Sequence, residues 1–177
     1  MGGGRGYGPT HSQSIESLFY SILGLRLVAL NQFIPAAQIY NSLVSYSEEP
    51  TLVIENKSLY TIKRMVKQEI FGYQVFKTNE IFPQVKITPK ENDPEITILC
   101  YGGIALMVES ALEKLANSDI FVEVIIPSSL KPLNLNSIKT SVEATGRLLT
   151  IEEGNKHGGI LQSVASELVE LGMSIKL

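Results

Sequence analysis

A chain of 177 residues that is 44% hydrophobic can bury one medium-sized core or two small ones, and its net charge of −3 gives no electrostatic footprint for nucleic acid or an anionic membrane. No apolar stretch is long enough to span a bilayer. The single cysteine excludes an internal disulfide framework and suits a reducing compartment; Cys100 lies in the apolar run 96–100 and reads as a small buried hydrophobe.

The stretch 2–14 concentrates two residue classes. Its glycines allow positive φ and close backbone approach, Pro9 sets a corner, and one of only two histidines, His11, follows. Ser12 and Gln13 come next, both hydrogen-bonding types. On composition alone the glycine run reads as a tail, and a lone histidine beside a helix start as a cap or surface group. Gly4-x-Gly6 mimics a dinucleotide fingerprint, but no strand precedes it and Pro9 stands where the helix would run. There is no Gly-Lys-Ser/Thr run, so it is not a phosphate loop.

Residues 12–60 read as helix, strand, helix, strand. Ser12 or Ser14 is expected to cap a helix carrying Ile15, Leu18, Phe19 and Ile22 on one face and ending at Gly24. The apolar run 25–30, broken only by Arg26, suits a strand buried on both faces. Pro35 opens the next helix, with Ala36, Ile39, Tyr40 and Leu43 inward. Pro50 introduces a second strand over 51–55. Such alternation implies βαβ units and a parallel sheet, and two strands alone leave edges that need neighbours.

The stretch 61–94 has the weakest pattern. Lys63, Arg64 and Lys67 read as a solvated face, while the alternation over 72–77 and 83–88 suggests short strands or an extended linker. The polar, proline-flanked run Pro89-Lys90-Glu91-Asn92-Asp93-Pro94 marks a domain boundary. A second α/β unit follows, with strands expected at 96–100, 121–126 and 148–151 and helices after Gly103, from Asn134 and from Gly159. Residues 174–177 can begin a fourth strand. Gly102-Gly103 reads as a turn needed for close packing rather than an anion site. Glu152 and Glu153 are adjacent on a strand and point to opposite faces, so they are not an acid/base pair. With His157 they are too few for a metal centre.

The run Gly6-Tyr7-Gly8-Pro9-Thr10-His11-Ser12-Gln13-Ser14, followed by Ser17-Leu18-Phe19, Gly24-Leu25-Arg26 and Val28-Ala29, resembles the beta subunit of the thiamine-diphosphate-dependent 2-oxoacid dehydrogenases. These are the decarboxylating first components of the pyruvate and branched-chain complexes. Further matches are Ile54-Glu55-Asn56, Leu59-Tyr60, Tyr101-Gly102-Gly103, Pro132-Leu133, Thr145-Gly146-Arg147-Leu148, Glu152-Glu153-Gly154 and Gly158-Gly159. Transketolases usually differ just after the histidine. The resemblance covers residues 4–60 and 95–166.

It implies two three-layer α/β/α units with mostly parallel sheets, the first incomplete and the second like the transketolase C-terminal domain. Residues 1–62 would be the second half of the pyrimidine-binding domain, 63–94 a linker, and 95–177 the C-terminal-like domain without its usual final helix. His11 would be the catalytic residue, beside the thiazolium end of the cofactor, where an imidazole titrating near neutrality can pass or hold a proton. Ser12 and Gln13 would orient it. Glu153, His157, Gly158 and Gly159 would face partner chains. No metal ligand falls in the chain. Thiamine diphosphate and magnesium would be held mainly by segments outside it and by a partner alpha chain, with a lipoyl group as acyl acceptor.

The implied partners are the alpha subunit, a second beta subunit and the lipoyl acyltransferase core, with neither nucleic acid nor membrane. The compartment would be the cytoplasm or the mitochondrial matrix. Three departures stand out. The run Ile126-Pro127-Ser128-Ser129-Leu130 lacks the family's Asp and Arg, Ser47-Glu48-Glu49 replaces a loop associated with a monovalent cation, and Gly159-Ile160-Leu161-Gln162 departs from a Gly-Phe-Gly pattern. The alternatives are a non-catalytic assembly module and a transketolase-type transferase fragment, and the isolated chain is expected to be inactive.

Overall fold

The computed structural model describes residues 2, 6–8, 10–46, 48–62 and 68–176. Helix α1 (Ser17–Tyr20) leads into strand β1 (Arg26–Ala29), helix α2 (Ala36–Tyr46) and strand β2 (Thr51–Ile54). Strands β1 and β2 pair in parallel, from Arg26↔Thr51 to Ala29↔Ile54. A 3-10 helix, Lys57–Thr61, follows, its first turn closed by the Asn56 side chain, which accepts from the Ser58 N–H. The third strand of this sheet comes from far along the chain: β8 (Ser129–Lys131) runs antiparallel to β1.

The second sheet has six strands in the order β3 (Glu69–Ile70), β4 (Tyr73–Lys77), β5 (Gln84–Pro89), β7 (Val122–Pro127), β6 (Ile96–Cys100), β9 (Leu148–Ile151). Helices α3 (Ile104–Ala116), α4 (Asn136–Thr145) and α5 (Ile160–Glu170) complete it. β6 is parallel to both neighbours, β7 and β9, whereas β3, β4, β5 and β7 are successively antiparallel. The α/β class holds, and the sheets are mixed rather than mostly parallel. The physical reason is the stretch 69–89. Phe71 and Gly72 both take positive φ (47° and 81°), as a two-residue hairpin turn requires, and so fold this stretch into an antiparallel meander. Its last strand pairs with β7 from Gln84↔Pro127 to Ile87↔Val124. What reads from sequence as a linker is therefore, from Glu69 onward, part of the second sheet. The basic cluster Lys63, Arg64, Lys67 lies outside the described residues, as does Ser47.

Burial explains why the sheets sit together. Along β1, Leu27, Val28 and Ala29 are all fully buried. Leu27 and Ala29 pack with Ile138, Leu161 and Leu168 of α4 and α5, and Val28 packs on the opposite side with Ile39 of α2, Val108 of α3 and Val85 of β5. Strand periodicity thus feeds one strand into two cores. The same division puts α3 on one face of the six-stranded sheet and α4 with α5 on the other, giving three layers.

Two expectations change. The first helix covers only Ser17–Tyr20, capped by Glu16 without a side-chain bond rather than by Ser12 or Ser14. The Lys131 ammonium explains the early stop: it donates to the carbonyls of Tyr20 (2.7 Å) and Ile22 (2.5 Å), which supplies them a partner without further helical turns. In α2, Ile39 is buried but Ala36 and Tyr40 are exposed, so its inward face is narrower than the pattern suggests. Near the end, residue 176 makes only an isolated parallel bridge to Arg147.

Leu27→Ala should cost about 2–5 kcal/mol in chemical denaturation, because a fully buried side chain between packed elements leaves a cavity. Leu149→Ala, at a residue 47% exposed on β9, should cost about half that or less.

Candidate functional site

His11 sits in a tight turn built on Gly8. The Gly8 carbonyl accepts the N–H of His11 (3.3 Å) and of Ser12 (3.1 Å), and Gly8 takes φ +77°, a conformation that glycine adopts freely. The Ser12 hydroxyl accepts the Tyr7 N–H at 2.6 Å, which closes the turn from the other side. The His11 and Gln13 side chains are exposed. Pro9, the corner of the sequence reading, lies outside the described residues, as do Gly3, Gly4 and Arg5.

A few residues on, the segment turns inward. Glu16 is only 4% exposed, and its Oε1 lies 3.1 Å from the Tyr101 hydroxyl at the end of β6. The same hydroxyl lies 3.1 Å from Oε2 of Glu152, just after β9. Glu152 accepts the N–H of Ile160 on Oε2 and of Leu161 on Oε1, each at 3.1 Å. It thereby satisfies two orphan amides at the start of α5, where the helix dipole favours a carboxylate. Glu153 points elsewhere: its Oε2 accepts from Asn56 Nδ2 at 2.9 Å, which ties the end of β2 to the end of β9. The adjacent carboxylates serve different partners, as strand alternation requires.

Two glycines make these contacts possible. A Cβ on Gly103 would stand 2.4 Å from the Asn56 side chain, and one on Gly159 would stand 2.2 Å from Glu152 Oε1. Both have negative φ (−67° each), so it is space and not backbone conformation that requires glycine there. The packing reading of the Gly102-Gly103 turn matches this geometry.

The structure thus draws Glu153 and Gly159 into contacts within the chain. His157 and Gly158 stay exposed on the loop before α5, where the Gly158 N–H donates to Gln162 Oε1. Sequence reasoning missed Glu16, met Asn56 only as part of a family match, and assigned Tyr101 no role beyond that match and a turn. Burial pushes the Glu16 carboxyl above its ordinary 4.5; the neighbouring carboxylates Glu153 and Glu152 push the same way, against the contacts with its own backbone and the Tyr101 hydroxyl. Burial also raises the Tyr101 phenol, reinforced by the neighbouring carboxyls of Glu16 and Glu152. Cys100 is fully buried and pushed up to about 12 by desolvation, so it is a packed thiol and not a nucleophile.

A second feature lies at the carboxyl ends of β1 and β2, where open α/β sheets commonly bind ligands. It is a cavity of about 210 Å³ with apolar walls including Leu30, Ile34 and Leu59. At its rim Glu55 accepts the hydroxyls of Tyr40 and Tyr60, which hold its carboxyl below the usual range. Among the described residues no group of three or more His, Cys, Asp or Glu side chains can hold a metal ion.

Residues 84–176, from the first residue of β5 onward, match the family described as transketolase, C-terminal domain. The chain belongs to that family. It is also 32% identical over 169 residues to the pyruvate dehydrogenase E1 component subunit beta-4, chloroplastic, of Oryza sativa subsp. japonica, an alignment covering 96% of this chain and 40% of that one. The pyruvate dehydrogenase E1 component subunit beta of Staurastrum punctulatum is 32% identical over 169 residues, covering 96% and 48%. The chain spans about half the length, or less, of these curated relatives. Its fold is similar to a split-gene transketolase solved as an inactive beta4 tetramer, with a TM-score of 0.59 at 20% identity over 90% of this chain and 49% of that one. A transketolase mutant from Pichia stipitis gives a TM-score of 0.54 at 15% identity, over 85% of this chain and 21% of that one.

Gly159→Ala should lose about 1–3 kcal/mol in denaturant titration, since the added methyl collides with the Glu152 carboxylate that caps α5. The backbone there already suits alanine, so a loss of that size reports the collision.

Proposed function

We propose that the chain is part of the beta subunit of a 2-oxoacid dehydrogenase first component, which oxidatively decarboxylates a 2-oxoacid and passes the acyl unit to a lipoyl group. The observation that carries this reading is the likeness to pyruvate dehydrogenase beta subunits along 96% of the chain, with His11-Ser12-Gln13-Ser14 presented on an exposed turn. Thiamine diphosphate supplies the decarboxylating chemistry when bound. By the same likeness, it and magnesium are assigned mainly to other segments and to the alpha subunit.

Within that assembly His11 is the catalytic residue. Its imidazole is accessible and of a type that titrates near neutral pH, so it can hold or hand over a proton. Ser12 shapes the turn by accepting the Tyr7 N–H, and Gln13 stands beside the imidazole in sequence, exposed and free to orient it. Partner contacts fall on the surface where Leu18 and Leu23 near α1 leave apolar side chains uncovered, and on the exposed polar loop carrying His157 and Gly158. Glu153 and Gly159 support that loop from within. The alpha subunit, a second beta subunit and the lipoyl acyltransferase core are the partners proposed for these surfaces. No helix among the described residues is long and apolar enough to cross a membrane. The compartment is that of the complex: cytoplasm, mitochondrial matrix, or the plastid named for several relatives.

The test uses a full-length beta subunit reconstituted with its alpha subunit, cofactor and a lipoyl acceptor. His11→Ala should lower reductive acylation of the lipoyl group by about 10²-fold or more while calorimetry shows cofactor binding unchanged. Unchanged acylation in that variant overturns the role.

A further inference from the structure

We propose that Glu16 is a positioning residue that acts as a neutral acid, donating its carboxyl proton to the Tyr101 phenol oxygen and so docking the His11 turn on the second sheet. Its bearing on catalysis rests on the function proposed above; the protonation and the docking do not.

Counting protons leads to this assignment. The Tyr101 oxygen lies 3.1 Å from Glu16 and 3.1 Å from Glu152, but a phenol carries one hydrogen. Both oxygens of Glu152 already accept backbone N–H groups at the start of α5, an arrangement that favours Glu152 as the acceptor of the tyrosine hydrogen. The tyrosine hydrogen therefore belongs to Glu152, and the contact to Glu16 needs a hydrogen from Glu16 itself. Buried tyrosine chemistry agrees, because the raised phenol stays protonated and can serve both as donor and acceptor.

The surroundings of Glu16 point the same way. Its Oε2 is buried and has no hydrogen-bond partner. The adjoining cavity, lined by Ser14, Asn56, Gly102 and Glu153 among others, measures only about 10 Å³, at the lower limit for one water. A carboxylate there would hold an unpaired charge in a dry place, whereas an acid leaves only a neutral carbonyl. The titratable groups acting on it are Tyr101 from the end of β6 and Glu152 and Glu153 from the end of β9, and none of them is a cation.

The sign of the pH dependence follows. Glu16 is raised in the folded chain, so its contribution is complete below the unfolded value of about 4.3 and is lost as pH rises through the folded value. Glu16→Gln keeps a donor and a carbonyl without the ionisation, and removes that slope. Above the window it should be at least as stable as the wild type.

The decisive experiment is infrared and NMR spectroscopy on the whole chain along a pH titration, read at the pH just above that at which ordinary glutamates (about 4.3) have ionised. The wild type should show a protonated-carboxyl stretch that Glu16→Gln lacks. His11 ring resonances should overlay between the two at that pH. At higher pH they should shift in the wild type as Glu16 ionises, by an amount that the glutamine variant does not show. Tyr101→Phe is the second arm: the band should persist but move to the frequency of an unbonded acid, a result that does not need the glutamine variant to fold. A wild type without the band overturns the neutral acid, and His11 resonances indifferent to Glu16 ionisation overturn the positioning. Neither readout uses turnover, so failure of the dehydrogenase reading would appear separately, as unchanged acylation in His11→Ala.

Discussion

The Tyr101 hydroxyl, 3.1 Å from both Glu16 and Glu152, connects three places distant in sequence: the end of the His11 turn, the end of β6 and the start of α5. The arrangement works only because neighbouring residues leave room. Gly159 lets the Glu152 carboxylate approach the amides of α5, and Gly103 lets Asn56 approach Glu153. Each glycine is adjacent to a helix start, where orphan backbone amides make a nearby acceptor worth having. The junction is thus a set of helix-start and strand-end contacts turned toward one another, and the exposed histidine lies five residues before Glu16 in the chain.

The rest of the architecture holds that junction in register. After β7 the chain crosses from one sheet to the other at Ser128, whose carbonyl accepts the Ala29 N–H at 2.8 Å. β8 then adds to β1, and Lys131 takes the carbonyls of Tyr20 and Ile22. The two sheets are joined here by backbone hydrogen bonds, backed by a strand, β1, buried on both faces. The segment bearing His11 is therefore held at two points, Glu16 and Lys131, both reaching residues more than eighty positions away.

Much of this was legible in the sequence where a single physical signal dominated. β6 and β9 fall on their apolar runs, α2 begins directly after Pro35, and α4 ends at Gly146 with φ +64°. The meander over Glu69–Pro89 was harder: its strands are short, β4 keeps only Tyr73 fully buried, and alternating exposure there reads equally as extended linker. The first helix was overread because its apolar spacing is genuine while its early end is caused by Lys131, 111 residues from Tyr20. Within the site, the turn around His11 carried composition and motif signals. Glu16 carried none, since a carboxylate beside Ile15 and Ser17 reads as a solvent-facing charge. Only its contact with Tyr101, 85 residues on, makes it a buried acid. Residue type identifies a reactive group more readily than it identifies the group's support.

The central claim is that the His11 turn is fastened to the second sheet through the Tyr101 hydroxyl. Amide hydrogen exchange resolved by residue, compared between the wild type and Tyr101→Phe, tests it most directly, because removing one oxygen leaves the ring to fill its place. Amides of residues 10–16 and of Ile160 and Leu161 should lose protection together, while those of β1 keep theirs. Protection of residues 10–16 that is identical in the two proteins would contradict the account.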